Sequence, residues 1–180
     1  MLNIPSIPDA EYKERIVKVQ KAMKEDGFDL LLSYGNEAEP QFVRYFSAYW
    51  PSFETAGVLI PAEGEPLLLI GPESYNYASD RSKIKEICRL KAFRESSEPE
   101  YPGEKLDTFN TVIERLMGDK KVGRFGVAGL PLMTIGVYEA LAEVLLKYGV
   151  KIEKADYIVN NLRMRKTENE LACMRAAAKI

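Results

Sequence analysis

The chain has 180 residues, of which 46% are hydrophobic and 29% charged, as in an ordinary globular protein that builds one core. The 25 basic and 27 acidic side chains leave a net charge of -2, which argues against partners such as nucleic acid or an anionic membrane. Histidine is absent, so a Ser-His-Asp or Cys-His triad is excluded and any metal site would need carboxylates.

The apolar runs and the two cysteines indicate where in the cell the protein is located. No apolar run approaches the roughly 20 residues that cross a bilayer, and the start "MLNIPSIPDAEYKER" lacks the pattern of an export signal. Cys88 and Cys173 lie far apart and form no C-x-x-C motif, so we expect small buried or half-buried thiols rather than a disulfide or a nucleophile. These features predict a cytoplasmic protein without a membrane partner.

The first predicted elements are a helix and a buried strand. Asp9 is a candidate N-cap, Gly27 a candidate end, and Glu11 falls on the face expected to meet water. The apolar positions between them recur at helical spacing: Tyr12, Ile16, Val19 and Met23. The segment "FDLLLSY" from Phe28 is apolar along its length, which is typical of an interior strand covered on both faces.

The remaining elements alternate between strands and helices. "TAGVLIPAEGEPLLLIG" predicts a hairpin around Gly64, followed by a helix over residues 74–87, a strand in "RLKAF" and a loop in "RESSEPEYPGE". Helices are predicted over residues 107–117 and 134–148, and strands over 122–127 and 150–154. The pattern predicts a three-layer α/β domain with a mixed, about six-stranded sheet and helices on both faces.

Three glycines in "GRFGVAGLPL" raise the question of a phosphate-binding turn. Gly123, Gly126 and Gly129 have the spacing G-x-x-G-x-x-G, which differs from the dinucleotide fingerprint and lacks the Gly-Lys-Ser/Thr of a P-loop. Two of them also precede or fall within the predicted strand, away from the helix N-terminus that would hold a phosphate. We therefore expect these glycines to serve close packing.

Large aromatic side chains crowd into "FVRYFSAYWPSFETAG". Phe42, Tyr45 and Phe46 have helical spacing and are expected to pack inward. Tyr49, Trp50 and Phe53 flank the structure-breaking Pro51, and Arg44 and Glu54 lie near them, a composition typical of an interface or a pocket wall. Core packing and a contact with a subunit or ligand both remain open.

The chain ends in "NLRMRKTENELACMRAAAKI". Thr167 and Glu170 form a capping box that starts a helix, whose apolar stripe includes Leu171, Met174 and Ala178. No C-cap follows. We expect residues 161–180 to be a linker and the first helix of a further domain, after a first domain of residues 1–160.

The order of these segments resembles the N-terminal domain of the creatinase/prolidase/aminopeptidase P family, the pita-bread metallopeptidases. The matching pieces are "FDLLL", "VRYFSAY", "GVLIPAEGEPLLLI", "GRFGVAG", "YEALAEVL" and "LRMRKTENELACMRAAAKI". The resemblance implies a ribonuclease H-like fold followed by a C-terminal catalytic domain, in which two Asp, one His and two Glu hold two divalent metal ions, manganese or cobalt. Every catalytic and metal-binding position then lies beyond Ile180, and this chain alone is expected to be inactive.

The resemblance also implies a role for the aromatic segment in a homodimer. In the family this loop reaches the substrate site of a neighbouring subunit. Carried over here, it comprises Tyr49, Trp50, Phe53 and Glu54, supported by Arg44, Tyr45 and Phe46. This sequence has Ala48-Tyr49 where many members have Gly-Phe, so the local backbone is expected to differ. The substrate of the full-length protein would be a small peptide with an Xaa-Pro bond.

Two alternatives remain within the resemblance and one outside it. The chain is also compatible with a creatinase-like amidinohydrolase acting on a creatine-like substrate, or with a metal-free relative that binds proteins. Outside the family, carboxylates of this domain would catalyse hydrolysis, with Asp80 and Glu73, or Asp107, as candidates.

Overall fold

Six β-strands form a single sheet in the computed structural model, which describes residues 5–52, 54–95 and 101–179. The strands are β1 (Leu30–Asn36), β2 (Thr55–Pro61), β3 (Leu67–Ile70), β4 (Ile87–Arg89), β5 (Phe125–Ala128) and β6 (Ile152–Lys154). Their order across the sheet is β4-β3-β2-β1-β5-β6. Strand β2 pairs antiparallel with β1 and β3, whereas β1–β5, β5–β6 and β3–β4 are parallel pairs. The predicted mixed, six-stranded sheet and the hairpin of β2 and β3 are therefore confirmed.

Helices cover both faces of this sheet. They are α1 (Asp9–Asp26), α2 (Gln41–Ser47), α3 (Tyr75–Arg81), α4 (Phe109–Met117), α5 (Ile135–Lys147), α6 (Asp156–Met164) and α7 (Glu168–Ala177). Side chains of α1, α2, α3 and α6 pack into one core cluster, and those of α4 and α5 into the other. The fold is the predicted three-layer α/β domain.

Strand β1 lies at the centre because its sequence can be buried on both faces. Leu31 enters the cluster under α1 and α2, while Leu30, Leu32 and Tyr34 enter the cluster under α4 and α5. All four side chains are fully buried. An uninterrupted apolar run thus gives an interior strand with a core on each side, as predicted.

Asp9 does not cap α1. Pro8 occupies the N-cap position in an extended conformation with no side-chain cap bond, and Asp9 is the first helical residue. The Asp9 carboxylate instead pairs with Lys83 Nζ at 2.7 Å. At the other end Gly27 takes a positive φ of 75° and closes the helix, as predicted.

The helix predicted over residues 74–87 is shorter, and the strand predicted in "RLKAF" lies earlier in the sequence. Helix α3 stops at Ser82, whose hydroxyl accepts from the Ile84 N–H and donates to the Ile84 carbonyl, so the backbone turns away. The chain then enters the sheet as β4, and Lys91–Phe93 forms a 3-10 turn instead of a strand.

Two glycines of "GRFGVAGLPL" serve close packing, as predicted. A Cβ on Gly126 would lie 2.9 Å from the Ala155 Cβ, and one on Gly129 would lie 2.2 Å from the Tyr34 carbonyl oxygen. Gly129 also has a φ of +88° and donates its N–H to Asp156.

Candidate functional site

The segment after α2 is the candidate site, and it begins at a sharp chain reversal. The Ser47 hydroxyl donates to the Val43 carbonyl and accepts from the Tyr49 N–H, while Ala48 takes a positive φ of 59°. That conformation usually belongs to glycine. Ala48 therefore holds a left-handed backbone conformation that L-residues rarely adopt.

Tyr49 and Glu54 close the two ends of this segment. Their side chains are 0% and 6% exposed, and the Tyr49 hydroxyl donates to Glu54 Oε1 in a short hydrogen bond. The Tyr49 ring also packs against Tyr77, with 5.5 Å between ring centroids. Tyr49 and Glu54 are thus buried against each other in this chain, and their role in a substrate-facing or dimer loop stays a prediction.

The Glu54 carboxyl sits in an unusual electrostatic environment. Burial raises its pKa from an ordinary 4.5 to about 7, although polar groups of Tyr49, Ser74 and Gly71 partly oppose the rise. Its Oε2 atom is buried and has no donor in hydrogen-bond geometry in the part of the chain described. Burial and the neighbouring Glu54 also raise the pKa of Tyr49. The pair is thus held most stably when Glu54 carries a proton.

Among the described residues of the segment, Trp50 is the aromatic residue with an accessible side chain. It is 44% exposed, and its Nε1 donates to the Glu37 carbonyl at 3.0 Å. The Arg44 guanidinium lies over its ring, 4.8 Å from the centroid. Phe53 falls outside the described residues. Trp50 and Arg44 therefore form an exposed aromatic and cationic surface, whose role in a subunit or ligand contact stays a prediction.

Tyr45 and Phe46, for which a supporting role was predicted, lie on α2 just before the segment. Phe46 is buried in the core, and its ring meets that of Tyr45 edge to face at 5.0 Å. Tyr45 is half-buried, with the Arg15 guanidinium over its ring at 4.3 Å. Tyr45 and Phe46 thus connect the candidate segment to helix α1.

Arg15 belongs to a buried network that sequence reasoning missed. Its guanidinium pairs with Glu11 at 2.6 Å and Glu170 at 3.1 Å, and it donates to the Tyr45 carbonyl. Glu11, expected to face water, is only 7% exposed because Thr167 and Asn169 also donate to it. The available signal was the i,i+4 spacing of Glu11 and Arg15 on α1.

The carboxylates considered for hydrolysis are not brought together. Asp80 pairs with its neighbour Arg81, Asp107 pairs with Arg115, and Glu73 accepts from the Tyr101 hydroxyl. Among the described residues, no three His, Cys, Asp or Glu side chains form a group that could hold a metal ion. Over the same residues, no helix combines the length and the apolar character needed to span a membrane.

The fold and this segment define a class: a three-layer α/β domain that carries an exposed tryptophan with an arginine stacked on it. The profile of the Creatinase/Prolidase N-terminal domain matches residues 15–165. The chain therefore belongs to the creatinase/prolidase N-terminal domain family.

Solved structures share this fold at low sequence identity. The N-terminal domain of the cytoplasmic peptidase PepQ from Mycobacterium tuberculosis H37Rv superposes with a TM-score of 0.60 at 19% identity, over 83% of this chain and 98% of that chain. The dipeptidase PepE from Mycobacterium ulcerans gives 0.65 at 18% identity, over 92% and 40%. The prolidase from Pyrococcus horikoshii OT3 gives 0.58 at 21% identity, over 88% and 37%.

The share of each solved structure that the chain covers differs. It spans about two fifths of the length of PepE and of the Pyrococcus prolidase, but nearly all of the PepQ domain. No sequence among the curated proteins matches the chain.

Proposed function

We propose that this chain is the non-catalytic N-terminal domain of an Xaa-Pro dipeptidase or aminopeptidase P-like metallohydrolase. The observation that carries the proposal is the family match over residues 15–165. Its neighbours include a dipeptidase and a prolidase that are much longer than this chain. In this proposal the peptide substrate and the two divalent metal ions, manganese or cobalt, bind in a following catalytic domain, in the cytoplasm.

Residues 1–160 then form the N-terminal domain, and residues 161–180 lead into the catalytic one. Helix α6 continues to Met164, so the non-helical part of this connection is short. Helix α7 buries none of its described side chains against the sheet, and its first residues bond to α1 instead. The exposed Met174 side chain is therefore available to pack on a domain that follows.

The same proposal assigns the surface of Arg44 and Trp50 to a homodimer, in which it completes the substrate site of the neighbouring subunit. Three features support this assignment: Trp50 is accessible, Arg44 stacks on it, and the buried Tyr49–Glu54 pair fixes the segment that carries it. Tryptophan and arginine are the residues most enriched at energetically dominant interface positions.

The test compares Trp50→Ala with Tyr138→Ala in the full-length protein. Tyr138 is a similarly exposed aromatic residue on α5, across the sheet from the candidate segment. We expect Trp50→Ala to lower kcat/KM for an Xaa-Pro dipeptide about tenfold or more, or to raise the dissociation constant of the dimer by about that factor. The second effect would appear as a shift of the mass in solution toward the monomer. Unchanged kinetics together with an unchanged mass would overturn the assigned role, and Tyr138→Ala should change neither.

A further inference from the structure

A cleft of about 700 Å³ lies beside the candidate segment and shares Arg44 with it. Residues 5–8, helix α1, helix α2, the end of α6 and the start of α7 form its walls. Its volume is in the range of sites that hold small organic ligands.

The charges that line this cleft do not cancel. Four basic side chains and two acidic ones face it: Arg15, Arg44, Lys83, Arg163, Asp9 and Glu170. Asp9 pairs with Lys83 at 2.7 Å, and Glu170 pairs with Arg15 at 3.1 Å. Neither Arg44 nor Arg163 has an ion pair with any carboxylate of the described residues. The cleft therefore has an excess of positive charge.

Both unpaired arginines are held in place by aromatic rings. The Arg44 guanidinium lies 4.8 Å from the centre of the Trp50 ring, and that of Arg163 lies 5.9 Å from the centre of the Phe42 ring. A stacked guanidinium keeps the N–H donors at its edge available for an anion. Each arginine is thus oriented before any ligand arrives.

Burial makes this arrangement costly without a ligand. Arg163 is half-buried, and burial lowers the pKa of its guanidinium although Tyr45 and Glu170 oppose the change. Arg15 is 3% exposed, yet its buried Nε has no hydrogen-bond acceptor in the described structure. Arg15 is paired with Glu11 and Glu170, so the charge that an anion in the cleft would compensate is that of the half-buried Arg163, which has no ion pair among the described residues.

We propose that the cleft binds an organic anion with two carboxylates on an apolar scaffold, one carboxylate for Arg44 and one for Arg163. Planar carboxylates match the fork of N–H donors on a guanidinium. The remaining wall contains Pro5, Pro8, Pro40, Ala48 and the Tyr12 ring, which favours a ligand with apolar surface over a bare inorganic ion. This site requires no catalytic domain, but it shares Arg44 with the surface assigned above to a homodimer, so the Arg163 variant tests it separately.

The test is a calorimetric titration of the 180-residue chain with glutarate at low salt. We expect a dissociation constant in the millimolar range or below, because two charge-assisted contacts hold the ligand. Arg44→Gln and Arg163→Gln should each weaken binding about fivefold or more. Lys147→Gln, which removes an exposed positive charge at the end of α5, should leave it unchanged.

Further ligands separate the proposed site from general attraction between charges. The uncharged diamide of glutarate should not bind, and inorganic phosphate should bind several-fold more weakly. A short peptide with two adjacent acidic residues that binds with the same dependence on both arginines would support the site and identify a peptide as its source.

Three results would overturn the proposal. They are no binding of glutarate at about 20 mM, equal glutarate affinity of Arg44→Gln, Arg163→Gln and Lys147→Gln, or equal affinity of the chain for phosphate and glutarate. Near-ultraviolet circular dichroism checks that each variant folds. If Arg44→Gln perturbs the structure around Trp50, the glutarate affinity of Arg163→Gln compared with that of Lys147→Gln tests the proposal instead.

Discussion

Glu54 is a residue whose ionisation opposes folding. In the folded chain its pKa is about 7 because the carboxyl is buried, whereas an exposed glutamate has an ordinary value of 4.5. The folded state therefore holds the proton more tightly than the unfolded state does. The stabilisation is complete below about pH 4.5, declines as the pH rises, and is lost above about pH 7.

We expect Glu54→Gln to remove this pH dependence. The glutamine stays neutral and can still accept from the Tyr49 hydroxyl, so the variant should exceed the wild type in unfolding free energy at pH 8 by up to about 3 kcal/mol. Urea unfolding at pH 5 and pH 8 measures the difference. The exposed Glu139→Gln on α5 serves as the control, and an unaltered slope between the two pH values in Glu54→Gln would contradict the assignment.

Ala48 provides a second prediction for a single residue. Its φ of 59° places an L-residue in the left-handed region, which costs about 1 kcal/mol or more, whereas glycine adopts that region freely. Ala48→Gly should raise the unfolding free energy by about 0.5 to 1 kcal/mol, since part of the gain is offset by the greater entropy of unfolded glycine.

The matched control for Ala48→Gly is Ala142→Gly within α5, where the helical backbone suits alanine and the same substitution should cost about 1 kcal/mol. Chemical denaturation of both variants measures the contrast. A loss of stability at both positions would show that Ala48 carries no strain.

Among the elements, α7 is the helix whose stability depends most on its first turn. None of its described residues is buried, so little packing stabilises it. Thr167 caps the helix by accepting from the Glu170 N–H at 3.1 Å, and its hydroxyl also donates to Glu11 at 2.9 Å. Burial raises the pKa of Glu11, but bonds from Asn169, Thr167 and Arg15 outweigh it and the net pKa is lowered. The tether to α1 therefore weakens in acid, as Glu11 takes up a proton.

We expect Thr167→Val to loosen α7 without unfolding the domain. The substitution keeps the shape of the side chain but removes the hydroxyl that caps the helix and bonds to Glu11, at a cost of about 1 to 2 kcal/mol. Amide hydrogen exchange within α7 should become about tenfold faster, while exchange in β1 stays unchanged.

Thr134→Val is the matched control because Thr134 is the N-cap of α5 but makes no side-chain cap bond. It should leave exchange in α5 unchanged. Equal effects of the two substitutions on their own helices would show that the Thr167 bonds contribute nothing.

The elements that the sequence predicts well are those specified by neighbouring residues. The capping box of Thr167 and Glu170, the Gly27 helix end and the β2–β3 hairpin each need only a few adjacent residues, and all three are observed. Glu11 shows the opposite case: Thr167 and Asn169, its partners, are 156 and 158 positions away. The helical spacing within α1 therefore predicted that Glu11 faces water, whereas it is buried.

The candidate site shows the same limit. The sequence identified an aromatic segment after α2, and Trp50 and Arg44 do lie at the surface. It left open whether Tyr49 turns inward, because that depends on the Tyr77 ring of α3 and on Glu54 being buried beside it. Burial of a polar pair is a property of the tertiary structure, and no spacing along the chain encodes it.

On the scale of the whole molecule, the described residues form a packed α/β domain, and the proposed function places catalysis in a domain that follows. Two core clusters stabilise a sheet whose candidate carboxylates each have their own partner. The chain spans about two fifths of the length of the dipeptidase and prolidase it superposes on. The proposed chemistry therefore needs residues that this chain does not contain.

We expect the 180-residue chain with added manganese to hydrolyse an Xaa-Pro dipeptide no faster than buffer does. The chain contains no histidine, and Asp80, Glu73 and Asp107 are each engaged elsewhere. Product formation followed by liquid chromatography measures the rate. Turnover that persists through purification and disappears in Asp107→Asn would instead support catalysis by this domain.

The two outer strands of the sheet restrict how copies of this protein can associate. Strands β4 and β6 have three residues each, and the backbone N–H of Asp107 already donates to the Arg89 carbonyl on the outer side of β4. At the opposite border Glu153 is clamped by Arg124 at 2.6 Å, and Lys154 is exposed. Such short, charged borders offer a poor template for adding a strand from another chain. Self-association must therefore proceed through side-chain surfaces, and growth into fibrils by continuation of the sheet is disfavoured.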